Sequence, residues 1–473
     1  MKRMHSLILP FLFFAILTVS CDKTKEEIPG EKFSTASVEE NKATVEQAGV
    51  EFVTTMSDMK SIQTVDVLVN FGDLMSSMGG KKASFSKESK LLSTLAAFTS
   101  TANGEKTTND LFKAMASSEE LGEGPQSIKE AWDSIVGTYT WTPSMNDWKV
   151  DRGGNKAEFL FPSSSQSLTN DAVLTISNYS GVTIANNPMG DDYTGDFPAN
   201  LNLDLKVGNT VLVTFVFGAS YNTDGVPKAI AADLTIESYK FELDVANTNQ
   251  VASVNYKFLA NNKVVMDMGV SGEGLFTKAN VDANTHTVTK TDTWGYYDYV
   301  YNSATGGWDQ VWVTQTNTWE ESQTDFEEIL HSASAHFQLF DIAIRGDIDV
   351  KGLVDEINKI DDQIENETIT TPEGDSLAAI QINKYLNLRL VDLSNGLIIA
   401  KAQAYAKKEI ITEYSESYTR SSIDFKLTFA DGSPIDAETY FNSGFDNFID
   451  EVNNLINDLN TEYDLGIEVI TKG

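Results

Sequence analysis

The chain has 473 residues, a formal net charge of −34 at pH 7 and 41% hydrophobic residues. This charge excludes nucleic acid and anionic membrane headgroups as partners of the protein surface, because a strongly acidic surface repels both. Cys21 is the single cysteine, which excludes a disulfide within the chain and a cysteine-based metal site.

The N-terminal residues have the pattern of a secretory signal peptide. Lys2 and Arg3 form a short positive region, and residues 6–19 are almost continuously apolar. This apolar run is too short to span a bilayer comfortably. The sequence therefore predicts that residues 1–20 are a signal peptide.

The end of this segment carries a motif for lipid attachment. Residues 17–21, Leu-Thr-Val-Ser-Cys, resemble the lipobox of bacterial lipoproteins. The resemblance implies cleavage before Cys21 and acylation of that cysteine. Acyl chains would then hold the protein on the membrane, with residues 21–32 as a charged, flexible tether.

A second resemblance concerns the final location. Lys25, Glu26 and Glu27 are similar to the lysine-plus-acids export signal of Bacteroidetes-type surface lipoproteins. The resemblance implies the outer membrane, with the protein facing the exterior. Asp22 keeps an alternative open, a position facing the periplasm, because an Asp after the lipidated cysteine is a retention signal in enteric bacteria.

Residues 33–136 are predicted to be helical. Residues 45–58, 87–101 and 109–118 have the apolar spacing of helices. Residues 127–130, Ser-Ile-Lys-Glu, have the form of a capping box, which predicts a short helix that ends near residue 136.

Residues 137–345 have the period of two that is typical of antiparallel strands. Residues 201–207 and 211–217 alternate around Gly208-Asn209, and residues 254–258 lead to Asn261-Asn262. Short turns between alternating runs predict β-hairpins.

Residues 346–473 are predicted to add two helices and a further hairpin. Residues 350–364 and 441–459 each carry one apolar stripe, and Asp436 is a candidate N-cap. Between them, residues 386–390 and 397–399 flank Asn395-Gly396. Alternate alanines from 400 to 406 predict close approach by a helix or a ligand, with the helix favoured.

Residues 292–319 contain four of the seven tryptophans and predict a hairpin. One interpretation is a clamp in which aromatic residues pair across the strands, with Trp308 in the role that Trp148 plays in an earlier, similar segment. The other adds an exposed binding surface for a glycan or a protein, formed by Trp294, Tyr296 and Trp312. Both remain open.

Motifs for catalysis, metal ions and cofactors are missing from the sequence. There is no His-Glu-x-x-His, phosphate-binding loop or Gly-x-Ser-x-Gly. Glu327 and His331, one helical turn apart, are expected to make a surface contact. The sequence therefore predicts neither a metal nor a cofactor, and a non-enzymatic protein, with a hydrolase as the third possibility.

Together these patterns predict an α+β fold, in which a large antiparallel sheet is packed by amphipathic helices, with a curved half-barrel as one form that the sheet can take. This architecture resembles the half-open barrels of LolA/LolB-type lipoprotein carriers. The leading functional prediction is a lipid-anchored binding or structural protein. The alternative is a carrier of an apolar ligand, which needs a cavity lined by residues such as Phe215, Phe217 and Met266.

Overall fold

The computed structural model describes residues 32–59, 62–76, 128–184, 196–223, 227–302, 304, 306–413, 416–441, 445–463 and 469. The fold is α+β with 53% strand, and a curved, open sheet of 16 strands dominates it. The predicted fold class is confirmed. Cys21, Lys25, Glu26, Glu27 and the predicted helices 87–101 and 109–118 lie outside the described residues.

The described residues form eight helices. They are α1 (Val38–Asp58), α2 (Gln63–Ser76), α3 (Ile128–Ile135), α4 (Lys278–Ala283), α5 (Val350–Glu365), α6 (Thr371–Tyr385), α7 (Ala437–Phe441) and α8 (Asp446–Tyr463).

The strands follow almost without interruption from Gly137 onwards. They are β1 (Gly137–Thr142), β2 (Asp147–Arg152), β3 (Ala157–Phe161), β4 (Ala172–Thr183), β5 (Asp196–Val207), β6 (Thr210–Tyr221), β7 (Pro227–Ile236), β8 (Tyr239–Asn247), β9 (Val251–Ala260), β10 (Lys263–Gly274), β11 (Thr285–Asn302), β12 (Gly307–Thr324), β13 (Leu330–Leu339), β14 (Ile342–Asp349), β15 (Leu386–Asp392), β16 (Leu397–Glu413), β17 (Glu416–Thr428) and β18 (Pro434–Asp436).

The order of strands across the large sheet is β18-β17-β16-β15-β14-β13-β10-β9-β8-β7-β6-β5-β4-β3-β1-β2. Its neighbouring strands are antiparallel except β1 and β3, which are parallel. The three predicted hairpins are present as β5–β6, β9–β10 and β15–β16. Their turns contain positive φ angles at Gly208, Asn261, Asn262 and Gly396, which glycine and asparagine tolerate best.

The two faces of the sheet differ in polarity because side chains alternate along each strand. The inner face carries apolar residues such as Leu205, Val213 and Phe258, all of which are buried. Helices α1 and α2 pack on this face, α1 against strands from β8 to β17 and α2 against strands from β1 to β6. The outer face carries charged and small residues.

An aromatic cluster joins α2 to the β1–β3 end of the sheet. Trp141 and Trp148 meet edge to face across the β1–β2 turn, with ring centroids 5.5 Å apart, so the clamp that the earlier tryptophan segment predicts is present. Phe71 of α2 packs against Trp148 and Phe161, and the Trp148 indole N–H donates to Leu74 O at 3.2 Å. The clamp is therefore part of the core between α2 and the sheet.

The later helices are arranged differently from the prediction. Helix α5 buries its predicted stripe, including Leu353 and Ile357, largely against α6, which the sequence did not predict. Helix α6 packs on β16, where Asn383 Nδ2 donates to Ala404 O at 2.8 Å, so the alanine row does receive a helix. The predicted single C-terminal helix is two helices, α7 and α8. Tyr405, rather than a helix amide, donates to Asp436.

Candidate functional site: an aromatic hairpin arm

Strands β11 and β12 form a second, separate sheet. They pair over their full length, from Thr285↔Thr324 to Asn302↔Gly307, and among the described strands they pair with each other alone. The hairpin is inserted between β10 and β13, which are neighbours in the large sheet. We call this hairpin, Thr285 to Thr324, the arm.

Hydrogen bonds fix the base of the arm. Asn280 of α4 donates from its side-chain nitrogen to Leu275 O at 2.9 Å and to Glu328 O at 3.0 Å. It therefore joins the chain that leads into the arm to the chain that leaves it. The hydroxyl groups of Thr285 and Thr324 lie 2.9 Å apart at the first pair of the ladder. The arm thus starts from a defined position on the sheet.

The register assigns the aromatic residues to two faces. Residues whose partners are directly opposite share a face, and Tyr297 is opposite Trp312 whereas Tyr296 is opposite Val313. One face, here the tyrosine face, carries Tyr297, Tyr299, Trp308 and Trp312. The other, here the valine face, carries Trp294, Tyr296, Val300, Val311, Val313 and Trp319.

The three predicted surface residues are therefore not brought together. Trp294 and Tyr296 lie on the valine face and Trp312 lies on the tyrosine face. Each of the three is exposed, as the binding-surface interpretation requires. The alternation within each strand could be predicted from the sequence, but the length of the turn between residues 302 and 307 decides which residues of the two strands share a face.

Trp308 is more exposed than the clamp prediction expects. Its side chain is 68% exposed, whereas Trp148 in the earlier segment is 6% exposed. Trp308 is directly opposite Tyr301 in the ladder, as a cross-strand pair requires, but it is not buried. The physical difference is a covering helix, since Trp148 is covered by Phe71 of α2 and the arm is a two-stranded sheet without a described helix over either face.

Trp312, which the sequence predicted only to be exposed, also makes an aromatic contact within the arm. The rings of Tyr297 and Trp312 meet edge to face, with centroids 4.8 Å apart and planes at 70°. The Trp312 ring also lies over Gly295, where a side chain would collide with it. The signal in the sequence was a glycine within an otherwise aromatic alternation, which marks close approach by a neighbour.

The arm offers apolar and aromatic surface with few charges. Asp298 and Asp309 are the acids near its tip, and the Asp298 carboxylate accepts a hydrogen bond from Tyr299 N at 2.8 Å. Elsewhere, no group of three or more His, Cys, Asp or Glu side chains in the described part of the chain is placed to hold a metal ion. Flat rings with adjacent polar groups are suited to binding rather than to proton or group transfer.

Comparison with known proteins gives no relative. No family model, curated protein or solved structure matches this chain.

The helices were also compared with the requirements of a membrane span. Within the described ranges, none of them is long and apolar enough to cross a bilayer.

Proposed function

We propose that this protein is a lipid-anchored, non-enzymatic protein of the bacterial cell envelope, and that its arm binds a protein partner. The lipobox resemblance at Cys21 supports the anchor, and the export-signal resemblance at residues 25–27 supports an outer-membrane position facing the exterior. The arm provides the contact surface.

The observation that carries the proposal is the exposure of large aromatic side chains on both faces of the arm. Trp294, Tyr297, Tyr299, Trp308 and Trp312 are all exposed. Strands of this length extend about 60 Å. Exposed apolar clusters of this kind mark interaction sites, and Trp and Tyr contribute most of the binding energy in protein interfaces.

The valine face favours a protein over a glycan. Val300 and Val311 are exposed beside Trp294 and Tyr296. Aliphatic side chains neither donate nor accept the hydrogen bonds that sugar hydroxyl groups need, whereas they pack well against apolar side chains of a partner protein. A glycan partner has its best support on the tyrosine face, where Gln310 and Thr314 lie among the rings.

Packing on the inner face of the sheet supports the binding protein over the apolar carrier. Met266, which a carrier would need at an open cavity, packs in a cluster with Phe52 and Met56 of α1. The helix therefore occupies the place beside Met266 that an apolar ligand would take.

Replacement of exposed rings on the arm tests the proposal. Cells carry either the wild-type chain or the double variant Trp294→Ser, Trp312→Ser, which removes one exposed ring from each face of the arm. Native complexes are resolved after mild detergent solubilisation. The partner that co-purifies with the wild-type chain is then titrated against each purified protein. We expect at least a tenfold weaker affinity for the double variant, because hot-spot rings contribute about 2 kcal/mol or more each.

A matched control changes one polar residue on each face of the arm. Asn317→Ala together with Thr318→Ala replaces exposed polar residues away from the tip and should leave the affinity unchanged. Unaltered affinity in the tryptophan variant would contradict the proposal. Loss of glycan-array binding by that variant, without a protein complex in the wild type, would replace it with the glycan function.

A further inference from the structure

A trough lies on the outer face of the large sheet, on strands β6 to β9 and apart from the arm. Its volume is about 660 Å³, within the range of small-molecule sites. Small residues form its floor, so the backbone of four adjacent strands can be approached closely. They include Gly218, Ser220, Ala229, Ala231 and Ala246.

Three hydrogen-bond acceptors converge in the trough. Asp244 and Asn255 are directly opposite each other on β8 and β9, which places their Cβ atoms about 5 Å apart. Ser253 is two residues before Asn255 on the same face of β9. All three side chains line the cavity.

The buried hydroxyl group of Ser253 points to a ligand. The residue is 1% exposed, and its Oγ has no hydrogen-bond partner among the described residues. A buried hydroxyl group without a partner costs free energy. Since Ser253 lines the trough, one rotamer step about χ1 can turn its Oγ towards a bound group.

Asn255 and Asp244 can also accept further hydrogen bonds. Oriented to satisfy its neighbours, the Asn255 amide nitrogen donates to Asp267 Oδ1 at 3.1 Å and to Met268 O at 3.2 Å, which leaves the Asn255 carbonyl oxygen. Asp244 accepts no hydrogen bond and forms no ion pair within the described part of the chain.

The charges around the trough favour a cation. Lys240 is bound to Glu242 and lies 3.3 Å from Asp233, while Lys257, which also lines the trough, lies 3.4 Å from Asp267. Each lysine is thus paired with another acid. Burial and the carboxylates of Asp233 and Glu242 raise the pKa of Asp244 and outweigh the opposing charges of Lys257 and Lys240, so a positive ligand would relieve repulsion between these acids.

We propose that the trough binds a small organic molecule that carries a primary ammonium group, with Asp244, Asn255 and Ser253 as acceptors. An ammonium group has three protons to donate and no acceptor, which matches three acceptors in the trough. Asp244 supplies the charge-assisted hydrogen bond, the strongest of the three. This site is independent of the proposed function of the arm.

The test is calorimetric titration of the folded protein with 1,5-diaminopentane, beside pentane-1,5-diol, which has the same length without charge. We expect that the diamine binds and that the diol does not. Asp244→Asn should weaken that binding at least tenfold, since a hydrogen bond to a charged group contributes about 1.5–3 kcal/mol. Ser253→Ala should weaken it severalfold.

A matched control separates the site from general attraction to an acidic protein. Asp204 is also on the outer face, on β5, and does not line the trough, so Asp204→Asn should leave diamine binding unchanged. Equal weakening by Asp204→Asn and Asp244→Asn would overturn the proposal. Equal affinity for the diol, or no binding of the diamine, would also overturn it.

Discussion

Gly295 lies beneath the indole ring of Trp312, so that a Cβ atom on Gly295 would stand 1.9 Å from Trp312 Cζ2. Two carbon atoms that are not bonded to each other cannot approach so closely. Any side chain at residue 295 must therefore displace the ring. The contact is diagonal in the ladder, since Gly295 is opposite Thr314 and Trp312 is opposite Tyr297. An aromatic ring over a glycine is a known way to stabilise exposed strand pairs.

Gly295→Ala is therefore expected to move Trp312 and to separate it from Tyr297, with little effect on the large sheet. Fluorine NMR of protein labelled with 5-fluorotryptophan measures the change, with the Trp312 signal assigned through Trp312→Phe. Gly218→Ala is the control, because a Cβ there meets no atom within 4 Å. An unshifted Trp312 signal in Gly295→Ala would show that the ring does not rest on this glycine.

Trp148 and Trp308 hold corresponding places in the two aromatic segments, but their replacement should change the free energy of unfolding by different amounts. Trp148→Ala removes a buried ring together with its hydrogen bond to Leu74 O, at a cost of about 3–5 kcal/mol. Trp308→Ala changes an exposed side chain, which typically alters stability by less than about 0.5 kcal/mol. Urea unfolding followed by far-UV circular dichroism measures both, and equal losses would mean that Trp308 is buried in solution.

Tyr440 offers a stabilising substitution. The residue is 1% exposed, and its hydroxyl group has no hydrogen-bond partner among the described residues. Burial raises the pKa of Tyr440 to about 12. Tyr440→Phe removes the unsatisfied hydroxyl group and should raise the free energy of unfolding by about 1 kcal/mol.

The control for this substitution is a tyrosine whose hydroxyl group is bonded. Tyr221 donates to Pro198 O at 2.8 Å, so Tyr221→Phe should lower the free energy of unfolding by about 1 kcal/mol. A loss of stability in Tyr440→Phe as large as that in Tyr221→Phe would indicate that Tyr440 has a partner after all.

Asp267 should make the stability of the large sheet sensitive to acid. Burial alone would raise the pKa of Asp267, but hydrogen bonds and charge from His336 and Lys257 outweigh it and hold that pKa below its ordinary value of 3.8. A carboxyl with a lowered folded pKa stabilises the protein above its unfolded pKa, and this contribution disappears as the pH falls through the folded pKa.

The variant Asp267→Asn tests this dependence. Its deficit in unfolding free energy relative to the wild type should shrink as the pH falls below about pH 4. Urea unfolding at a series of pH values gives the deficit directly. A deficit that grows as the pH falls below about pH 4 would show that the pKa of Asp267 is raised instead.

Cys21 should determine membrane attachment. Cys21→Ala is expected to yield unprocessed or soluble protein in cell fractionation, because no acyl chain can be attached. Cleaved Cys21→Ala protein that remains with the membranes would contradict the lipoprotein hypothesis.

The same cells can test the predicted export signal. Protease added to intact cells should digest the wild-type protein, and replacement of Lys25, Glu26 and Glu27 by Ala should protect it. Equal digestion of both proteins would exclude an export role for these residues.

Much of the sheet could be predicted from the sequence because its hairpins are formed by segments that are neighbours in the chain. Hairpins such as β5–β6 and β9–β10 have short turns of glycine or asparagine, and their strands alternate in polarity because one face is packed. The position of α6 depends on contacts between the side chains of different elements. Gly374 of α6 illustrates this, since a side chain there would collide with Ile364 of α5, although glycine disfavours helices.

The candidate site was predicted in part, because the sequence shows the aromatic composition of the hairpin but not its contacts with other elements. Composition identified the aromatic hairpin, and the exposure of Trp294, Tyr296 and Trp312 is as expected. The exposure of Trp308 could not be predicted, because the sequence of a hairpin does not record whether another element covers it. The trough on β6–β9 has no sequence signal, since Asp244, Asn255 and Ser253 become neighbours through strand register alone.

The strand order also determines where this protein can pair with other chains. At one end of the large sheet, β18 has only three residues and begins with Pro434, which has no N–H to donate; at the other end, β2 exposes Lys149, Asp151 and Arg152. Short, proline-containing and charged edges oppose aggregation by strand addition. The two strands of the arm have 18 residues each and no proline, so their edges are suited to the addition of a strand by the proposed partner.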